Sequence, residues 1–208
     1  GEWSYISIRT QKRGIISRIR LRSVSDGMIS NMVLSIVTAL ELGVEVSAIA
    51  ERVERWTPAK MRGQVVHKNG NLYYIDCYNA NPDSMRDAIK AFSALTDEKT
   101  SRIYFIGCME ELGEKSSNLH FSLGKGWTLS EEDQVVIMGA HAEALRDGLL
   151  KAGNQTNSVK VVSDIDSAKR YLDGFEGAVF LKGSRRYNLE TIVEVDRLLK
   201  EEKKGVLC

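Results

Sequence analysis

Cysteine and proline are scarce in this chain, with three and two copies respectively among 208 residues. Cys77, Cys108 and Cys208 show no CxxC spacing. That excludes a disulfide-framed scaffold and suits a reducing cytoplasm. Long hydrophobic runs are also missing. The longest apolar-rich stretch, Met28 to Val46, is broken by Ser30, Asn31, Ser35, Thr38, Glu41 and Gly43, so nothing in the sequence spans a bilayer. No basic segment followed by an apolar one and a cleavage site opens the chain. A net charge of +1 gives no electrostatic reason to expect nucleic acid or a membrane surface as partner. There is no internal repeat and no low-complexity tract.

What remains is an ordinary globular composition, 43% hydrophobic and 27% charged, with enough apolar material for a real core. The length fits one domain, or one domain with a piece of another. The first segment predicts two strands, Glu2 to Arg9 and Ile15 to Arg22, joined by a polar QKRG turn. A helix capped by Ser25 or Asp26 follows, with Ile29, Val33, Ile36, Val37 and Leu40 on one stripe and Gly43 as its stop. A second helix is predicted near Ser47 to Trp56. Thr57-Pro58 interrupts it, and the expected boundary divides residues 1–57 from 58–208.

Beyond Pro58 the rhythm changes. Asn69-Gly70 predicts a type I′ hairpin between Gln64–His67 and Leu72–Asp76. Short apolar runs at Ile103–Ile106, Val135–Met138, Val159–Val162 and Ala178–Leu181 then alternate with helical patterns. Those patterns lie at Pro82–Leu95, Ala140–Ala152, Ser167–Leu172 and Asn188–Lys200. Such alternation implies an α/β fold: a mostly parallel, Rossmann-like sheet with helices on both faces, preceded by a small α+β remnant.

One strand-to-helix handover stands out: YIDCYNANPDSMRDAIKAF, from Tyr74 to Phe92. Asn81 caps, Pro82 suits the first helical position and Asp83 complements the helix dipole. Met85, Ala88, Ile89 and Phe92 form the buried stripe. Capping leaves Asp76, Tyr78 and Asn79 without a purpose. They make either a hydrogen-bonded tight loop or a site at the carboxyl ends of parallel strands, where open α/β sheets bind ligands. Lys182-Gly183-Ser184-Arg185 follows another strand and precedes a cap candidate, Asn188. Cations beside backbone N–H groups suit a carboxylate, although a solvated basic turn would read the same way.

DCYNANPDSM resembles the D-x-Y-N-A-N-P-x-S-M signature of the MurF ligases. These use ATP to join D-alanyl-D-alanine to UDP-N-acetylmuramoyl-tripeptide. KMRGQ, GCMEELGEKSSNLH and LKGSR resemble further segments of that family in the same order, and SNMVLSIVTALELGV resembles the helix closing its central ATPase domain. The resemblance covers about Asp26 to Glu190. It implies a C-terminal Mur ligase domain after the tail of a central domain, in a cytoplasmic enzyme of peptidoglycan synthesis. No G-x-x-x-x-G-K-[ST] occurs in the sequence, so the chain is expected to be a fragment, inactive alone, with the N-terminal and central domains as partners.

By resemblance, Asn31, Arg62 and Asp76 meet ATP, while Tyr78, Asn79, Lys182, Ser184 and Arg185 border the dipeptide or the interdomain cleft. Mg²⁺ belongs to the complete enzyme, and no cofactor is expected to stay tightly bound here. No nucleophile of the protein is implied, because an acyl phosphate carries the reaction.

Two positions depart from the family pattern: Cys108 where relatives carry Asp, and Gly27 where a histidine is often found. A thiol replaces a carboxylate only if its pKa falls, and Glu110 and Glu111 stand nearby. Cys77, Cys108 and His120 lack metal-ligand spacing, so no metal site is expected. His67 and His141 read as hairpin and helix-surface residues, and Trp3, Trp56 and Trp127 as packing anchors. The rival readings are a folylpolyglutamate-type amide ligase, disfavoured by Tyr-Asn-Ala-Asn-Pro, and a non-catalytic α/β interaction module.

Overall fold

A computed structural model describes residues 3–10, 14–23, 25–97 and 99–199. Strands β1 (Ser4–Thr10) and β2 (Gly14–Leu21) pair antiparallel. Residues 11–13 of the expected QKRG turn lie outside the described residues. Helix α1 (Asp26–Glu41) starts where the Ser25 side chain accepts the Met28 amide, satisfying one of the donors that a helix start leaves over. Helix α2 (Val46–Glu54) follows. Ile6, Ile19 and Leu21 meet Ile36, Leu40, Ile49 and Val53 in a core of their own. Trp3 departs from the expected anchor role. It is 40% exposed, with the Arg20 guanidinium 4.3 Å from its ring centre.

Residues 55–63 lead without regular structure into a second sheet. Strands β3 (Gln64–Lys68) and β4 (Asn71–Asp76) form the expected hairpin. Asn69 and Gly70 at φ 50° and 81° give the two left-handed positions of a type I′ turn. Then come α3 (Pro82–Ser93), β5 (Arg102–Gly107), α4 (Ser116–Lys125), β6 (Asp133–Met138) and α5 (Ala142–Lys151). The series closes with β7 (Val159–Val161), α6 (Ile165–Lys169) and β8 (Ala178–Lys182). The strand order is β3-β4-β8-β5-β6-β7, parallel except for the β3 edge. The two sheets of the chain share no strand.

Period-two alternation divides the strand residues between two cores. Tyr104, Ile106, Val135 and Phe180 face Met85, Phe92, Leu145 and Leu149 on the α3–α5 side. Ile103, Phe105, Val179 and Leu181 face Ala168, Leu189, Val195 and Leu198 on the other. A mostly parallel sheet with helices on both faces is therefore the observed architecture. Among the described residues no helix is long and apolar enough to cross a membrane.

Three expectations need correction. Helix α4 was not anticipated, because Gly124 and Gly126 weaken the helical pattern. The structure uses Gly124 for close approach: a Cβ there would lie 2.3 Å from the Leu145 carbonyl oxygen of α5. The helix expected over Asn188–Lys200 is broken. Asn188 and Glu194 sit at φ 48°, a 3-10 turn covers Leu189–Thr191, and among the described residues helix returns over 195–199, Lys200 lying outside them. Leu189, Ile192, Val195 and Leu198 recur every third residue, a period that a tight turn can lay on one face. The Asn188 side chain makes no capping bond. Finally, His141 is not a helix-surface residue; it is half-buried at the start of α5, its ring 5.1 Å from that of His120.

Candidate functional site

Parallel register sets Asp76, the last residue of β4, directly beside Lys182, the last of β8. The Lys182 side chain is 1% exposed, and its ammonium donates to Asp76 Oδ2 at 2.6 Å and to the Asn79 carbonyl at 3.2 Å. A third, longer contact reaches the Asp76 carbonyl at 3.5 Å. Lys182 is therefore not the solvent-facing cation that its loop suggested. Its ammonium has three acceptor atoms within 3.5 Å, all on the β4 strand end and the loop after it. Burial pushes the Asp76 carboxyl above the ordinary value, while Lys182, the Gly63 amide and Arg62 pull it part of the way back.

Arg62 and Tyr78 are exposed beside this pair, and the guanidinium carbon lies 4.2 Å from the Tyr78 ring centre. Arg185 reaches the same neighbourhood, donating to Glu190 and, at 3.5 Å, to the Met61 sulfur. Ser184 is occupied locally: its hydroxyl accepts the Arg186 amide at 3.4 Å and its own amide donates to the Cys108 carbonyl. The Asn79 side-chain oxygen accepts the Ala80 amide at 2.8 Å.

Asn31, Arg62, Asp76, Asn79 and Lys182 line one cleft of about 620 Å³. Its far wall is the start of α1. That wall is held by residues the sequence did not single out, because they look like ordinary surface charges on α3. The Asp87 carboxylate accepts the Ser25 hydroxyl at 2.6 Å, the Asp26 amide at 2.9 Å and the Gly27 amide at 3.2 Å. Lys90 pairs with Asp26 at 2.6 Å. Residues about sixty apart in sequence meet here, and no local pattern signals it.

The next strand end, at β5, carries the GCMEE segment. Cys108 is buried, and burial raises its thiol to about 11; that of Cys77 rises to about 12 for the same reason. Neither supplies a thiolate near neutrality, so Cys108 does not stand in for a carboxylate. Buried His120 accepts the Met109 amide at 2.9 Å, which makes its other nitrogen the donor to the Ser116 carbonyl at 2.7 Å. Burial accordingly lowers its pKa.

The family model described as "Mur ligase, glutamate ligase domain" matches residues 61–185. The UDP-N-acetylmuramoyl-tripeptide–D-alanyl-D-alanine ligase of Mycobacterium bovis is 30% identical over 152 residues, covering 67% of this chain and 30% of that enzyme. A crystal structure of MurF from Acinetobacter baumannii matches with a TM-score of 0.79 and 25% identity, over 93% of this chain and 42% of that one. MurF from Thermotoga maritima, solved with ADP, shares the fold with a TM-score of 0.71 at 21% identity, over 99% of this chain and 48% of the other. The chain thus spans less than half the length of each of these relatives. Fold, motif order and these likenesses agree: the chain belongs to the Mur ligase family, and its relatives include enzymes of the MurF type.

Proposed function

We propose that this chain is the C-terminal part of an ATP-dependent ligase that adds D-alanyl-D-alanine to UDP-N-acetylmuramoyl-tripeptide through an acyl phosphate. It would act in the cytoplasm, in peptidoglycan synthesis, and so in cell shape and division. Residues 1–57 are the tail of a central ATPase domain and 58–208 the C-terminal domain. The observation that carries this reading is the shared cleft: Asn31 and Gly27 from the first unit face Arg62, Asp76 and Asn79 from the second.

In this reading Asn31, Arg62 and Asp76 receive the nucleotide. Asp76 accepts from ribose hydroxyls with the oxygen capacity that Lys182 and Gly63 leave over. Tyr78, Asn79, Ser184 and Arg185 border the dipeptide, and Lys182 acts through Asp76 and Asn79. Mg²⁺ enters with the triphosphate, whose usual cradle has no counterpart in this sequence. Asp76, already engaged by an ammonium 2.6 Å away, is not assigned as its ligand.

The test uses two proteins. This chain alone, given ATP, the UDP-tripeptide and D-Ala-D-Ala, should form product only at background rate. In the complete ligase, Asp76→Asn should raise the KM for ATP about tenfold, the loss of one charge-assisted hydrogen bond. Turnover by the chain alone, or an unchanged KM in the variant, would show the nucleotide site to be misplaced.

A further inference from the structure

The Mur-type reading leaves one constellation on the strand ends unused. Tyr187 lies across the carboxyl edge, packed against the cores of both sheet faces. It fits there because two strand ends lack side chains. A Cβ at Gly107, ending β5, would lie 2.8 Å from the Tyr187 ring, and one at Gly139, following β6, would lie 2.5 Å from its hydroxyl. From this slot the hydroxyl donates to Glu110 Oε1. The two residues before Glu110 are pinned: the Cys108 amide donates to the Met138 carbonyl, and the Met109 amide donates to His120. The Glu110 side chain nevertheless stays 29% exposed, with Arg186 3.7 Å from its second oxygen and 77% exposed.

A fixed carboxylate beside an exposed guanidinium presents both charges that a free amino acid or dipeptide needs, one for its ammonium and one for its carboxylate. Both groups stand on the edge that Asp76 and Lys182 occupy, because β8 lies between β4 and β5. Arg185, by contrast, is turned toward Glu190 and Met61. We propose that Glu110 and Arg186 form the seat for the two ends of the zwitterionic dipeptide, with Glu110 holding the ammonium and Tyr187 as its positioning residue. The proposal rests on the ligase reading above and adds a substrate contact to it. It also gives the segment around Cys108 an acid: Glu110, two residues on, carries the charge that the buried thiol lacks.

The decisive comparison uses the complete ligase and two probes, D-alanyl-D-alanine and its N-acetyl derivative, which keeps the carboxylate but has no ammonium. Calorimetry should show the free dipeptide binding at least tenfold more tightly than the acetylated one. Glu110→Gln should abolish that preference while leaving affinity for the acetylated probe and the KM for ATP unchanged. Tyr187→Phe keeps the ring in its slot and removes only the hydroxyl, so the preference should fall part of the way, about threefold, with melting temperature nearly retained. Arg186→Ala should weaken both probes alike. If Glu110→Gln binds both probes as wild type does, the seat is elsewhere and the ligase reading stands. If wild-type protein binds neither probe, the seat and the ligase reading fall together.

Discussion

Asp87 of α3 grips the first turn of α1 so closely that Gly27 lies in tight contact with its carboxylate. A Cβ at Gly27 would lie 3.0 Å from Asp87 Oδ2, the oxygen that already accepts the Ser25 hydroxyl and the Gly27 amide. The contact joins α1 to α3 through polar groups. Asp26 and Lys90, which reinforce it, have side chains 67% and 75% exposed. An interface of that kind permits relative motion of its parts.

The first prediction concerns this grip. Asp87→Ala should speed hydrogen exchange of the Asp26 and Gly27 amides about tenfold, the loss of roughly one charge-assisted bond moderated by exposure. Exchange in β5 and β8 should be unchanged. Equal rates at residues 26 and 27 in the variant and wild type would mean that the contact is not held in solution.

The Asp76–Lys182 pair should respond asymmetrically. Asp76→Ala strands an ammonium that is 1% exposed and should cost about 3–5 kcal/mol in urea unfolding. Lys182→Met leaves a carboxylate that water can reach, so the loss should be smaller, about 1–3 kcal/mol. The reverse order would show that the lysine, not the aspartate, has access to solvent.

At the opposite end of the sheet Arg102 donates to Asp133 at 2.6 Å, and their side chains are 8% and 2% exposed. Asp133→Ala should destabilise the chain by about 3–5 kcal/mol. This site lies at the amino ends of β5 and β6, so nucleotide affinity at the proposed cleft of the complete protein should be untouched. A change in affinity without a change in stability would contradict that separation.

His120 supplies a pH dependence of definite sign. Its folded pKa lies below the ordinary value because burial disfavours the imidazolium, so the unfolded chain takes up its proton first. Its contribution to stability is constant above the unfolded pKa of about 6.5 and declines as pH falls from there toward the folded value. His120→Gln, which keeps an acceptor for the Met109 amide, should be less stable at neutral pH and show a flatter fall between pH 7 and 5. An identical slope in the variant would assign the dependence to other groups.

Cys77 and Cys108, buried and with thiols raised to about 12 and 11, should resist alkylation at pH 7.5 in the folded chain. Both should label fully in denaturant, as read by peptide mass mapping. Rapid labelling of either in native protein would show an opening of the strand ends.

Much of the fold was legible because it rests on local physics. Asn69-Gly70 permits left-handed backbone, Asn81-Pro82 opens a helix, and the apolar runs of β5, β6 and β8 have the length of buried strands. The strand-end loops could also be placed on one edge, since parallel strands leave no other choice. Helix α4 leaves a weak pattern because Gly124 is a poor helix former, and only contact with α5 shows why it is there. The break at Glu194 escaped because a left-handed residue within an apolar pattern leaves no mark in the sequence.

The sequence by itself determined the strands, most of the helices, that the sheet is mostly parallel, and that Asp76, Tyr78 and Asn79 lie at a strand end. These follow from short-range sterics, hydrogen-bond capping and the period of apolar residues. Only the tertiary structure decided that Lys182 is buried against Asp76, that Asp87 closes on α1 across sixty residues, and that Tyr187 aims Glu110 from a slot between two glycines. Each depends on which distant atoms share a small volume, where burial and pairing set the state of a charge, and no local pattern carries that information.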